Sequence, residues 1–432
     1  MSRAFTARNR PPVAVACAIV AVVVVLVAPA SAFGATTQLV SRFRGIDAVH
    51  GSCSTFGSRA ISGDGRFVVF TVDDDALPGA AGTRDVYVRD LVRGTTRLVS
   101  QTSAEEPADA GSSDSVAISG SGRFVAFSSA AENLPGGAGT EDVFLRDLQQ
   151  GTTVLVSRSS SGEDLDGDSD NPSVSSGGRF VAFTSTADSP PGDDAVVNVY
   201  VRDRKTGTTE LVSQTSGGVP ANADSGGPSV SGDGSRVAFQ SSANNLPGPD
   251  GLTRIFLHVT GTGSTRLVSK TSSGASLNSG AIAASLSADG RYVGFESDAS
   301  NLPGGAGTTD VYLHDVKTGT TRLMSRTTGG VPADGDSDTA SVSANGRSVA
   351  FESDAANLGG AAGFIDVFLH DTTSGATRLI SRATSGAAGL EDSFYASVSS
   401  DGGFVAFTSR SDNFSSTDDN DVSNCFVRGP LA

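Results

Sequence analysis

Apolar positions in this chain fall into short runs at a fixed interval, with no helical stripe. One run reads Gly65-Arg66-Phe67-Val68-Val69-Phe70. It recurs with closing phenylalanines at Phe127, Phe183, Phe239, Phe295, Phe351 and Phe407. The spacings are 57, then 56 five times. A fixed period of this size marks a propeller, a solenoid or an array.

Each unit reads as four strands. Strand a is a Pro-Ser-Val-Ser phrase, as in Pro172 to Ser175 and Pro228 to Ser231. Asp64-Gly65, Asp233-Gly234, Asp289-Gly290, Asn345-Gly346 and Asp401-Gly402 follow, and such pairs favour two-residue hairpin turns. Strand b is the Phe-Val-Ala-Phe run, apolar at consecutive positions, which predicts cover on both faces. Strand c is typified by Asp85-Val86-Tyr87-Val88-Arg89 and strand d by Thr95-Thr96-Arg97-Leu98-Val99-Ser100. Four-stranded units with both faces buried and no helices predict an all-β fold, a β-propeller with seven antiparallel blades. The last unit has strands a to c only. The segment 36–41, Thr-Thr-Gln-Leu-Val-Ser, is a strand d without a blade. Pairing it into blade 7 closes the ring and removes an open sheet edge.

Ahead of that strand, Arg3, Arg8 and Arg10 precede an apolar run from Val13 to Val27, and Ala30-Ser31-Ala32 follows. This pattern predicts a secretory signal peptide over 1–32, with the propeller over 33–432 and a secreted or cell-envelope location.

The repeated phrases resemble the WD-like β-propeller repeats of the TolB family. The residues that carry the likeness are Pro228-Ser229-Val230-Ser231-Gly232-Asp233-Gly234 with Val237-Ala238-Phe239. Asp310-Val311-Tyr312-Leu313-His314-Asp315 and Thr320-Thr321-Arg322-Leu323-Met324-Ser325 complete it. That family has six blades where seven units are read here, so the resemblance implies the fold and no Tol-system role.

Composition narrows the partners. The formal charge is −16, from 31 Lys+Arg and 47 Asp+Glu, and removal of residues 1–32 takes it to −19. Such acidity speaks against nucleic acid, whose phosphates need clustered cations, and against an anionic membrane surface. Two cysteines lie outside the signal. Cys53 is in the first d–a loop and Cys425 is near the start of strand c in blade 7, so a disulfide at the ring seam is expected in an oxidising compartment.

In such a meander the b–c and d–a loops share one face of the ring and the short a–b and c–d turns share the other. The long loops are the expected place for function. Asp164, Asp166, Asp168 and Asp170 precede blade 3. Asp334, Asp336 and Asp338 precede blade 6. Aspartates alternating with small residues resemble part of a calcium loop, which makes these seven the candidate calcium ligands. Asp193 and Asp194 in the b–c loop of blade 3 add acidity to the same face, and Asp418-Asp419-Asn420-Asp421 in blade 7 is a further acidic stretch. His258, His314 and His370 share one repeat position, held by Arg89, Arg146, Arg202 and Arg428 in the other blades. They read as structural replacements for arginine, and His50 as a loop histidine. No Gly-x-Ser-x-Gly elbow is present. The leading expectation is a monomeric, non-catalytic binding protein whose acidic face takes a protein, peptide or glycan. The alternative is a carbohydrate-active enzyme, a lyase or glycosidase using loop carboxylates with calcium. Carboxylates converging on the central channel would favour the enzyme. A channel lined by Ser, Thr and Ala of strand a would favour binding.

Overall fold

The computed structural model describes residues 35–43, 51–56, 59–73, 77, 84–137, 139–187, 196–248, 251–305, 307–416 and 422–431. The proposed signal, His50, Asp193, Asp194 and 418–421 lie outside these residues. The described strands form seven four-stranded antiparallel sheets, one per sequence unit. Blade 3 is typical: strand a is Ser169–Val174, b is Phe180–Ser185, c is Asn198–Asp203 and d is Thr208–Leu211. In blade 7 strand d is Thr36–Leu39, paired on Asn424–Gly429 with Thr36 opposite Gly429 and Leu39 opposite Phe426. The chain is an all-β, seven-bladed propeller closed by its N-terminal strand.

Two local expectations change. The paired part of the closing strand ends at Leu39, and Val40 and Ser41 N–H both turn onto the Cys425 carbonyl. The a–b turns are also wider than two residues. Ser62 and Phe67 close a four-residue loop in which Gly65 alone takes a positive φ, +71°. Asp64 stays in ordinary backbone space because its carboxylate accepts from the Ser62 hydroxyl at 2.6 Å and from Arg66 N–H at 3.1 Å. That local side-chain bond builds an Asx turn in place of a type I′ turn.

The repeated Gly-x-Phe phrase has a packing cause. A Cβ on Gly65 would overlap the ring of Phe404 in blade 7, and one on Gly178 would overlap Phe124 in blade 2. The turn glycine therefore supplies both a left-handed bend and the space for its neighbour's aromatic ring. The core itself lies between the blades. Each of the seven apolar clusters combines residues of adjacent blades, as Val69, Val88, Val125 and Phe127 do for blades 1 and 2. Strand b is therefore covered on both faces. Within every blade a strand b aromatic faces one on strand c, from Phe70 and Tyr87 to Phe407 and Phe426, with centroids 5.6–5.9 Å apart.

Hydrogen bonds stitch the blades at three radii. On the outside, a strand d threonine donates to a carbonyl of the preceding blade: Thr209 to Arg158, Thr265 to Gln214, and, through the N-terminal strand, Thr37 to Arg382, each at 2.5 Å. Midway, the first N–H of strand a reaches the residue ahead of the preceding strand c. Ser169 donates to the Glu141 carbonyl at 2.6 Å, and at the closing seam Cys53 donates to Ser423 at 2.8 Å. Innermost, backbone bonds of 2.8–3.1 Å between a–b turns run all the way round, from Gly63 to Gly120 at one seam to Ser400 back to Gly63 at the last. The closing seam repeats the contacts of the others and adds the disulfide Cys53–Cys425, with Cα atoms 5.7 Å apart.

Candidate functional site

The seven strands a surround a central channel. A cavity of about 280 Å³ in it is lined by Pro172, Pro228, Ala284, Ala340 and Ala396 at one repeat position, with Ser115, Asn171, Ser285, Thr339 and Ser341 beside them. Phe56 and Glu296 complete the wall. Small side chains at these positions leave the space open. Strand a is also bulged. Asn171, Gly227, Ala283, Thr339 and Tyr395 occupy one position in successive blades, and all take φ between +51° and +59°. The bulge frees an N–H that the regular ladder would have used. Side chains of the preceding strand b capture it: Gln240 Oε1 accepts from Ala283 at 3.0 Å, Glu296 from Thr339 at 2.9 Å and Glu352 from Tyr395 at 2.5 Å.

These two glutamates are the most perturbed acids of the channel. Burial pushes the Glu296 carboxyl up to about 7. Burial and the neighbouring Asp338 charge push Glu352 up to about 8. Asp338 is itself raised, chiefly by burial. Near neutral pH the Glu352 carboxyl is therefore mostly protonated. Gln240, a side chain without an acidic proton, fills the same place in blade 4, so the shared task of the position is to cap the bulge.

The candidate calcium ligands are not gathered into one set. Asp164 pairs with Arg158 at 3.0 Å. Asp166 is exposed. Asp168 and Asp336 accept the N–H of Glu141 and Thr309 at 3.2 and 2.8 Å. Asp224 and Asp392 do the same for Val197 and Ile365 at 3.0 and 2.9 Å, so this aspartate belongs to the blade-to-blade stitching. Asp170 accepts from the hydroxyls of Ser113 and Ser128 at 3.0 and 2.6 Å. Asp334 bonds Asn357 N–H at 3.0 Å, and Asp338 lies by Glu352. Among the described residues no three acidic, histidine or cysteine side chains converge as a metal-binding group.

The three histidines do the work of the arginines they replace. His258, His314 and His370 place Nδ1 2.9 Å from Thr265, Thr321 and Thr377 Oγ1. Arg89 and Arg202 reach Thr96 and Thr209 the same way. Each threonine hydroxyl proton is committed to a carbonyl of the preceding blade, so Nδ1 is the donor to its oxygen. Burial lowers His314 and His370 to about 4, keeping both neutral.

Sequence reading missed the channel residues. Glu296 and Glu352 stand where other blades carry Thr71, Ser128, Thr184 and Thr408. Arg59 stands where they carry Val116, Pro172, Pro228, Ala284, Ala340 and Ala396. The available signal was departure from the repeat, legible only once the strand a register is known.

The fold and the channel define a seven-bladed β-propeller with a central, small-residue-lined cup. No family model matches the chain, and no curated protein matches it. Solved structures do. An oligogalacturonate lyase in complex with manganese matches at 13% identity over 93% of this chain and 94% of that one, TM-score 0.58. The propeller domain of the Trilobed protease from Pyrococcus furiosus matches at 13% over 83% and 91%, TM-score 0.51. TolB from Acinetobacter baumannii matches at 18% over 68% of this chain and 61% of its own length, TM-score 0.41. At these identities the likeness to the lyase and to the protease propeller is one of fold.

Proposed function

We propose that the chain is an exported, non-catalytic binding protein. It takes a protein, peptide or glycan ligand of the cell envelope or exterior at the channel mouth and the acidic loops around it. The observation that carries this reading is the channel wall, lined mostly by serine, threonine, alanine and proline side chains, whose acid, Glu296, is held by the Thr339 N–H. A rigid ring with variable loops on one face is the usual setting for recognition. The acidity of the chain favours basic partners, with affinity that falls as salt rises.

The carbohydrate-active reading draws on the raised carboxyls of Glu296 and Glu352. Both groups already hold a bulge N–H, as the non-acidic Gln240 does, which favours the structural role. Immobilised protein is to be exposed to envelope extract at low and high salt. Retention of a discrete ligand at low salt and its release at high salt is the expected result. No retained ligand at either salt overturns the reading, and recovery of the ligand in cleaved form replaces it with the enzyme.

A further inference from the structure

Arg59 is out of keeping with the rest of the channel. Its place in strand a of blade 1 is fixed by the bridge of Arg59 to Ala117 and by the bond from Ile118 N–H to the Arg59 carbonyl. In that register it continues the ring of Pro172, Pro228, Ala284, Ala340 and Ala396, the residues that face the channel. At this repeat position the other blades carry proline, alanine and valine, and blade 1 carries a guanidinium. Its Nη1 is enclosed and has no hydrogen-bond partner among the described residues. Burial lowers its pKa, and among the described residues no carboxylate offsets that effect. The residue as a whole keeps partial exposure.

A buried cation without a counter-charge is costly, and such groups are found paired, hydrogen-bonded or facing a ligand. The chain does not lack carboxylates; it directs them elsewhere. Glu296 and Glu352 are held by bulge N–H groups, and Asp114 accepts from Thr71 at 2.9 Å and pairs with Arg84. On the same side of the ring as Arg59, Phe56 is 42% exposed, lines the channel and meets Tyr395 edge-on at 5.1 Å. The neighbourhood is one unpaired guanidinium, serine hydroxyls and an aromatic wall.

We propose that the channel binds its ligand through a carboxylate group that Arg59 pairs with, the body of the ligand resting against Phe56 and Tyr395. This rests on the binding reading above and names the chemistry of the channel contact alone, the acidic loops at the mouth acting on the rest of the partner. A monoanion fits better than a dianion such as phosphate, because one guanidinium stands in a strongly acidic chain. Two sources carry this chemistry in small form, a sugar acid and a free peptide end, and the test separates them.

The full-length chain is to be titrated by calorimetry with glucuronate and glucose, with N-acetyl-dialanine and its amide, and with acetate. One acid is expected to bind while its neutral counterpart binds at least tenfold more weakly, and the acid that binds identifies the source. Arg59→Met is expected to abolish that binding while the unliganded protein melts no lower than wild type, since an unpaired buried charge has been removed. Arg59→Lys, which keeps the charge without the planar fork, is expected to fold and to bind more weakly. Equal binding of acid and neutral probes, unchanged acid binding by both variants, or acetate binding as tightly as either acid, an adventitious ion only, would each overturn the inference. So would the absence of binding by both acids. None of these results touches the envelope-extract experiment, whose own failure is what overturns the binding reading.

Discussion

A single carboxyl shows how the channel is tuned. Glu352 titrates near 8 in the folded chain, against about 4.5 for a free glutamate. A raised folded pKa contributes stability that is complete below the unfolded value and is lost as pH rises through the folded one. His314 and His370, lowered to about 4, act in the opposite sense, but only below their unfolded value of 6.5. Between pH 6.5 and 8 the glutamate effect is therefore left largely unopposed. The melting temperature is expected to fall across that window, by the equivalent of about 1–2 kcal/mol. Glu352→Gln is expected to flatten the profile while keeping the cap, as Gln240 does. Glu352→Ala is expected to destabilise by about 1–3 kcal/mol, because Tyr395 N–H loses its acceptor. A pH series of thermal melts on the three proteins checks both. A second pair of residues separates strain from crowding. Gly94 and Gly65 both take positive φ, but only Gly65 abuts a neighbour's ring. Gly94→Ala is expected to cost about 1 kcal/mol and Gly65→Ala clearly more, read from denaturant midpoints.

At the level of strands and turns, what was legible in the sequence followed the repeat. The period gave the blade count. The Thr-Thr-Gln-Leu-Val-Ser segment at 36–41 gave the closure, because a strand d phrase without a preceding a, b and c has one vacancy to fill. The a–b turns were misjudged because Asp64 bonds its own neighbours, a choice invisible to a dipeptide rule. In the acidic loops, spacing alone does not reveal that Asp168 and Asp336 reach back to the preceding blade. Arg59 was hidden for a related reason, the bulge that shifts the register of strand a, and Glu296 and Glu352 because nothing in the strand b phrase shows that this side chain caps the next blade's bulge. The seam offers a test at this scale. The disulfide joins residues 372 apart, and the chain-entropy account puts its stabilisation at up to about 5 kcal/mol. The double variant Cys53→Ser, Cys425→Ser is expected to fold, since the hydrogen bonds at all three radii persist, and to melt several degrees lower. Deleting residues 36–41 is expected to be far more damaging, exposing the edge of Asn424–Gly429. Hydrogen exchange in that strand distinguishes the two cases.

For the whole molecule, stability is distributed over seven similar interfaces, each with its own apolar cluster and its own set of bonds. Damage at one seam is therefore expected to loosen two blades first, with near-neutral effects from changes on the exposed c–d turns. Acidity that looked like a global property divides by location: Asp168, Asp224, Asp336 and Asp392 bond across to the preceding blade, and burial raises the channel glutamates Glu296 and Glu352.

Because the closing interface repeats the outer, middle and inner bonds of the other six, the position of the chain's break is interchangeable. The Ala35 carbonyl lies 3.2 Å from Arg428 Nη2, so a short linker can join the start of the closing strand to Leu431. A circular permutant opened between blades 3 and 4 is expected to reach the same ring, with the peptide linker and the disulfide then guarding a seam that no longer contains the ends.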